Sequence, residues 1–313
     1  LDVGQRIVLQ KDPTNIWAKP GNPDTLIFDI MREPEQRVTA LLNSEIDIAE
    51  FIPPQLAAKV AHAPNAKLVS TGSVEIMFLA MSPKAKPWDN RKLRQAVCYA
   101  IDRDSIIKNV LGGQADKLDG PIGPAQYGYD ADYATHNLRI PYDPAKAKEL
   151  VKESGYDGRP VDLETPVGRY IDDKEVTQAM IPMLNAVGIK ARLRTPEWST
   201  LWADVQKGRV PFYYMGRGSV VDPSVALRQY FETGGSPRIG ISDPAIDKAL
   251  DTERATFDTI ARRKALNIAF KAIEDAAPAC FLWTHHLLYG ISDRIEYHPN
   301  PGGRLFGTDM IVK

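Results

Sequence analysis

Short runs of β-branched and aromatic residues alternate along most of this chain with longer stretches whose apolar residues recur at helical spacing. That rhythm constrains the fold most, because a two-residue period and a 3.6-residue period cannot substitute for one another. Their alternation builds an α/β sheet rather than a helical bundle. IVL (7–9) and TLIFDI (25–30) read as strands bounded by Pro, Gly and Asn. PEQRVTALLN follows as a helix with Pro34 in its first turn and Val38, Leu41 and Leu42 on one face. SEIDIAEF reads as a strand in which Ile46, Ile48 and Phe51 alternate with acidic partners, PPQLAAKVAHA as a helix, and KLVS and EIMFLAM as two further strands.

KAKP (84–87) marks a border. Beyond it, Leu93, Ala96, Val97, Ala100 and Ile101 form a core stripe, and Asp102 ends that helix and caps the next, which Gly112-Gly113 stops. Residues 114–140 are irregular and too long for a simple connection, which points to a functional or domain-crossing loop. A second run then alternates helix PAKAKELVKESG, strand VDLETP, a helix with Pro182 inside it, strand IKARLRTP, helix STLWADVQKG and strand VPFYYMG. Pro182 should kink its helix or leave it irregular. After the loop GRGSVVDP come a short helix, two longer ones over residues 243–277, and the strand-like PACFLWTHHLLYGI.

Composition narrows the function. Lys plus Arg (39) nearly balances Asp plus Glu (40), against the basic surplus that nucleic-acid binding needs. No apolar run approaches the roughly 18 residues of a membrane span. GxSxG, HExxH, Walker and CxxC motifs are absent from the sequence. His285-His286 is the one histidine pair, and adjacent strand residues point to opposite faces, so no metal site and no cofactor is expected. Cys98 and Cys280 sit in apolar contexts and read as buried thiols whose spacing asks for no disulfide.

Four stretches, in order, carry a family likeness: ALLNSEIDIAEF, NRKLRQAVCYAIDRDSIIKNVLGGQA, DPAKAKELVKESGYDG, and the run from VGIKARLRTPEW to GRGSVVDPS. With them the chain resembles the C-terminal two-thirds of an extracytoplasmic solute-binding protein of the peptide/nickel/opine ABC transporter family. The resemblance implies a type II periplasmic-binding-protein-like α/β fold, with one nearly complete lobe and part of the other. It places residues 1–82 and 285–313 in the partial first lobe and 83–284 in the second, and it implies that the chain is a fragment. It also implies a periplasmic, non-enzymatic component that captures a small peptide-like, opine-like or carboxylate-bearing solute by hinge closure. Its partners would be that solute and the transporter's permease subunits, with no nucleic acid. An enzyme or a non-transport sensor on the same scaffold is the competing reading. In this frame the helix RKLRQAVCYAIDR is architectural, and Arg94 and Arg103 are expected to be solvated or ion-paired.

Ligands of open α/β sheets sit at the carboxyl ends of the strands. Three loops qualify: VGRYI (167–171), EWSTLW (197–202) and RGSVVDP (217–223). They offer Arg169, Tyr170, Trp198, Arg217, Ser219 and Asp222 to one rim, and the long loop adds Tyr127 and Tyr129. Aromatics supply rigid contact area and guanidinium groups hold carboxylates bidentately. Trp202 reads as a core residue of its helix, and Asp222 also suits capping at Pro223. Peptide-binding relatives place an acid a few positions before the Asp-Pro of the last loop. Here Gly218, Ser219, Val220 and Val221 occupy those positions, which favours a ligand with a carboxylate or another acceptor.

Overall fold

The computed structural model describes residues 6–218 and 221–313. They divide into two units: residues up to Ser73 together with His286–Lys313, and Val74–His285.

In the first unit, β1 (Arg6–Gln10) and β2 (Thr25–Asp29) form an antiparallel hairpin whose Val8, Leu9 and Ile27 side chains are exposed. Helix α1 (Pro34–Leu42) starts on its proline and buries Val38 and Leu41. The expected strand over SEIDIAEF shrinks to β3 (Ile48–Ala49). Phe51 breaks the alternation, because its backbone turns into the left-handed region at φ 51° and its ring is exposed. Helix α2 (Pro54–Ala61) and strand β4 (Ala66–Gly72) follow.

The second unit opens with β5 (Ile76–Met81), every residue of which is buried. Sequence reading set β5 before the border, at residue 82. The structure puts it in the second unit, where it pairs with two strands of that unit's sheet. Next come α3 (Arg91–Ala100), α4 (Arg103–Asn109), β6 (Ala115–Lys117), the single turn α5 (Ala131–Tyr133), α6 (Pro144–Glu153), β7 (Val161–Glu164), α7 (Asp173–Ala186), β8 (Ala191–Arg194), α8 (Trp198–Gln206) and β9 (Phe212–Arg217). The unit continues with α9 (Ser224–Phe231), α10 (Pro244–Arg254), α11 (Thr259–Ala276) and the long β10 (Ala279–Ser292). Only the part of β10 up to His285 belongs to this unit; the rest pairs with β3 and β4 of the first unit. The first unit closes with β11 (Ile295–Tyr297) and β12 (Met310–Val312), which pair with each other.

The second unit's sheet runs in the order β10, β5, β9, β7, β8, with β6 also on β10. Strands β7, β8 and β9 are parallel, so their carboxyl ends share one edge, while β5 runs antiparallel to β9. Helix α7 continues through Pro182 as one element, although the ring nitrogen has no proton to donate to the preceding turn.

The expected stripe of α3 is buried throughout, and Asp102 caps α4 by accepting the Ser105 N–H at 3.0 Å. The two arginines of this stretch are a correction to the expectation of solvated or ion-paired groups. Arg94 and Arg103 are 5% and 6% exposed, and both spend their donors on main-chain carbonyls. Arg94 donates to Ala276 at 2.6 Å, Ala277 at 3.0 Å and Trp88 at 2.7 Å. Arg103 donates to Leu118 at 2.8 Å, Phe281 at 3.0 Å and Ile140. The last carbonyls of a helix lack partners within it and carry its negative dipole end, so Arg94 serves as the cap of α11.

Candidate functional site

At the carboxyl end of β7 the chain is organised by one carboxylate. Asp173, the first residue of α7, accepts N–H bonds from Gly168 at 3.0 Å, Arg169 at 2.9 Å and Tyr170 at 3.0 Å. Burial pushes its pKa up and these backbone bonds pull it back. The VGRYI turn is thereby fixed, and with it the place from which Arg169 projects. The Arg169 guanidinium lies 4.9 Å from the centre of the Tyr170 ring and 5.2 Å from that of Trp198. Its residue is exposed, and among the described residues the guanidinium makes no hydrogen bond or ion pair.

Trp198 begins α8, whose start is capped by Glu197 through the Ser199 N–H at 2.7 Å and the Thr200 N–H at 3.2 Å. One turn on, Trp202 stacks on Trp198 with ring centres 5.5 Å apart and planes 17° from parallel. Arg238 covers Trp202 at 4.6 Å and reaches Tyr230 at 5.2 Å. The result is a run of four rings, Tyr170, Trp198, Trp202 and Tyr230, with Arg169 bridging the first two and Arg238 the last two. Trp202 is thus neither a plain core residue nor a bare contact surface. Nothing in the sequence pattern of SPRIG marks Arg238 as its partner.

Strand β9 ends on Gly216 and Arg217. A Cβ on Gly216 would stand 2.7 Å from Glu75 Oε1 and from Tyr170 Cε1, so only glycine permits these groups their positions. Tyr170 donates its hydroxyl to the Gly216 carbonyl at 3.4 Å. Burial raises the Glu75 pKa, while the charge of Arg169 lowers it. Sequence reading missed Glu75, which lies outside the three loops and reaches the edge only through the pairing of β5 with β9.

Successive strand residues face opposite ways, so Arg217 points away from the Glu75 side. It was expected on the rim, but it is 2% exposed. The long loop covers it: Arg217 donates Nη2 to the Pro121 carbonyl at 2.6 Å. Nε and Nη1 have no partner among the described residues. Burial lowers its pKa to about 10, with Tyr230 acting in the other direction. Ser219 lies outside the described residues.

Asp222 and Tyr127 meet at a separate cluster. Asp222 accepts the Ser224 N–H at 3.0 Å and pairs with Arg262 at 2.9 Å. Arg262 also holds buried Glu253 at 2.7 Å and lies 4.9 Å from the Tyr127 ring centre. The hydrogen bond from Arg262 holds the Asp222 pKa below its usual value. Tyr127 is further tied by its backbone N–H to Val221 at 2.8 Å. Tyr129 joins none of these groups. Its surroundings include Asp119, Asp116 and Arg139, and burial raises its pKa. The structure therefore gathers Arg169, Tyr170 and Trp198 around one turn, buries Arg217 beside it, and commits Asp222 and Tyr127 to an ion-pair network.

A stacked guanidinium with its N–H edge free is a receptor for a planar acceptor such as a carboxylate. Comparison with known proteins gives this edge its context. Residues 1–237 match the profile of the bacterial extracellular solute-binding proteins, family 5 Middle. The chain is 28% identical over 278 residues to the dipeptide-binding protein of Escherichia coli, covering 85% of this chain and 51% of that protein. It is 29% identical over 292 residues to the glutathione-binding protein GsiB of Pectobacterium atrosepticum, covering 89% of this chain and 56% of that protein. It thus spans about half the length of these relatives. The solved structure of AgaA from A. tumefaciens in complex with agropinic acid superposes with a TM-score of 0.84 at 24% identity, over 100% of this chain and 65% of that one. AppA of Bacillus subtilis, in complex with a nonapeptide, gives 0.85 at 18% identity, again over 100% and 65%. The fold is that of part of a type II periplasmic binding protein. With three-quarters of its residues inside the profile, the chain belongs to the bacterial extracellular solute-binding proteins of family 5.

Proposed function

We propose that this protein is the substrate-binding component of an ABC importer. It captures a small organic solute carrying a carboxylate or comparable acceptor, outside the cytoplasm and in the periplasm where one exists, and passes it to permease subunits. In this reading the second unit is the nearly complete second lobe, and the first unit is part of the other.

The observation that carries the reading is Arg169. It is exposed, held over Tyr170 and Trp198 and rooted in a turn that Asp173 fixes, and its guanidinium makes no hydrogen bond or ion pair among the described residues. A cation that only served the fold would be expected to spend its donors, as Arg94 does. The sequence of residues 218–221 offers no acid for a free amine, so binding should not depend on one.

Isothermal calorimetry tests this with dipeptides, their N-acetyl forms, opines, small organic acids and the methyl esters of each. Acids should bind and the corresponding esters should not, with N-acetylation tolerated. Arg169→Met should weaken binding by about 1.5–3 kcal/mol, the usual contribution of a hydrogen bond to a charged group. Esters binding as tightly as acids, or an Arg169→Met variant with unchanged affinity, would refute the reading.

A further inference from the structure

We propose that Cys98 and Cys280 are a modification site, a thiol pair that closes to an intramolecular disulfide as the chain folds outside the cytoplasm. The compartment follows from family membership; the pairing follows from the fold.

The stretch from α3 to the start of α4 is tied to the end of α11 and to the start of β10. Four residues before Cys98, Arg94 donates to the carbonyls of Ala276 and Ala277. Five residues after it, Arg103 donates to the carbonyl of Phe281. The anchored carbonyls flank Cys280 on both sides, and the anchoring arginines flank Cys98. The two cysteines therefore face each other between two fixed clamps, although 181 positions separate them in the chain (280 minus 98, less one). Both are buried, at 1% and 2% exposure. They line one small cavity with Arg103, Leu138, Glu274 and Phe281. Each thiol lies within the other's electrostatic influence, and Cys280 helps to raise the Cys98 pKa.

The chemistry is thiol–disulfide exchange. One thiolate attacks a sulfur of an external disulfide, releasing one thiolate of that oxidant. The second cysteine then displaces the other. One S–S bond forms in the protein, two thiols of the oxidant are produced, and the two protein thiol protons go to solvent or the released thiolates. In the closed cavity, burial and the neighbouring Glu274 hold the Cys98 thiol far above its ordinary range. The folded thiol is thus a poor nucleophile, and the exchange belongs to the folding chain, before the clamps close. Once made, the bond is shielded from reductant by the same burial. It would cross-link distant segments and so restrict the unfolded chain, the main way a disulfide stabilises a fold.

The test is a thiol count by mass on the whole chain, secreted to the periplasm of an expression host. The protein is denatured in iodoacetamide without reductant, then digested. The expected result is no alkylation, an intact mass two hydrogens below the dithiol form, and one cross-linked pair of peptides containing Cys98 and Cys280. Dithiothreitol should lower the melting temperature by several degrees and leave a Cys98→Ala/Cys280→Ala variant unmoved. Two alkylated cysteines, both in the secreted protein and after refolding with oxidised glutathione, would overturn the proposal. So would mixed disulfides with glutathione in place of the cross-link.

Discussion

Replacing Arg217 with methionine should stabilise the fold and leave solute binding unchanged. The guanidinium is nearly inaccessible, makes one hydrogen bond to Pro121, and leaves Nε and Nη1 without partners among the described residues. Burial brings its pKa down to about 10. At about 1.4 kcal/mol per pKa unit, that depression corresponds to roughly 3 kcal/mol against the charged form. The lost bond to Pro121 removes about 1.5–3 kcal/mol in the other direction. Methionine fills most of the volume, so the net change should be neutral to about 1 kcal/mol stabilising. Buried charges exchanged for apolar groups often give this result. A buried residue truncated in a well-satisfied site would instead cost several kcal/mol. Urea unfolding of the chain measures the first effect, and calorimetry with the tightest acid of the panel measures the second, expected as an affinity equal to that of the wild type. Because a base with a depressed native pKa sheds its proton first in the folded state, the wild type should also gain stability as pH rises above about 10, and the variant should not. Destabilisation beyond about 2 kcal/mol would show that the buried guanidinium is well satisfied and refute the reasoning.

Arg94→Met should behave in the opposite way, losing about 3–5 kcal/mol in urea unfolding, because it strands the carbonyls of Ala276, Ala277 and Trp88 in the interior; a loss under about 1 kcal/mol would contradict the clamp. Glu274→Gln should flatten the pH dependence of stability. Burial raises its pKa from 4.5 to about 8 against the pull of Arg103, so the native state keeps a proton that the unfolded state has shed. Wild-type stability should therefore fall as pH rises from about 4.5 toward 8, with a limiting slope of about 1.4 kcal/mol per pH unit that the variant lacks. Gly290→Ala should destabilise the first unit by about 1–3 kcal/mol, since the added Cβ would stand 2.3 Å from Leu41 Cδ2 in its core. Thermal unfolding checks this, and a melting point equal to wild type would show that the core yields.

The parts of the fold that were legible are those set by near neighbours in the chain. The stripe of α3, the Asp102 cap and the parallel strands with their three loops follow from periods of two and 3.6 and from caps a few residues away. The strand expected over SEIDIAEF is cut short because its apolar and acidic residues alternate on paper as far as Phe51, while the backbone leaves the extended region there. The candidate site was legible only as a list of loop residues. Arg169, Tyr170 and Trp198 come together because parallel strands bring their following loops to one edge. Arg217 left the rim because Pro121 arrives from a loop 96 positions away. Glu75 and Arg238 escaped notice for the same reason: each is placed by strand pairing or by packing across the unit, and no local pattern encodes such a partner.

The arginines show what separates a structural from a functional reading of one residue type. Each guanidinium carries five N–H donors and no acceptor, so burying it is tolerable only where oxygens meet those donors. Arg94 and Arg103 meet carbonyls at the end of α11, in the turn before α3, on a strand and in the long loop, and their burial is thereby satisfied. Arg217 is as deeply buried and meets one carbonyl. Arg169 meets none, yet it is held in place by two rings and a turn pinned by Asp173. Order without satisfied donors is costly to the fold and useful to a receptor, because the receptor's partner arrives from solution. The quantity that sorts these four residues is therefore the number of donors left over after folding. It depends on contacts up to 183 positions apart, which is why four identical letters in the sequence divide into two kinds only in the structure.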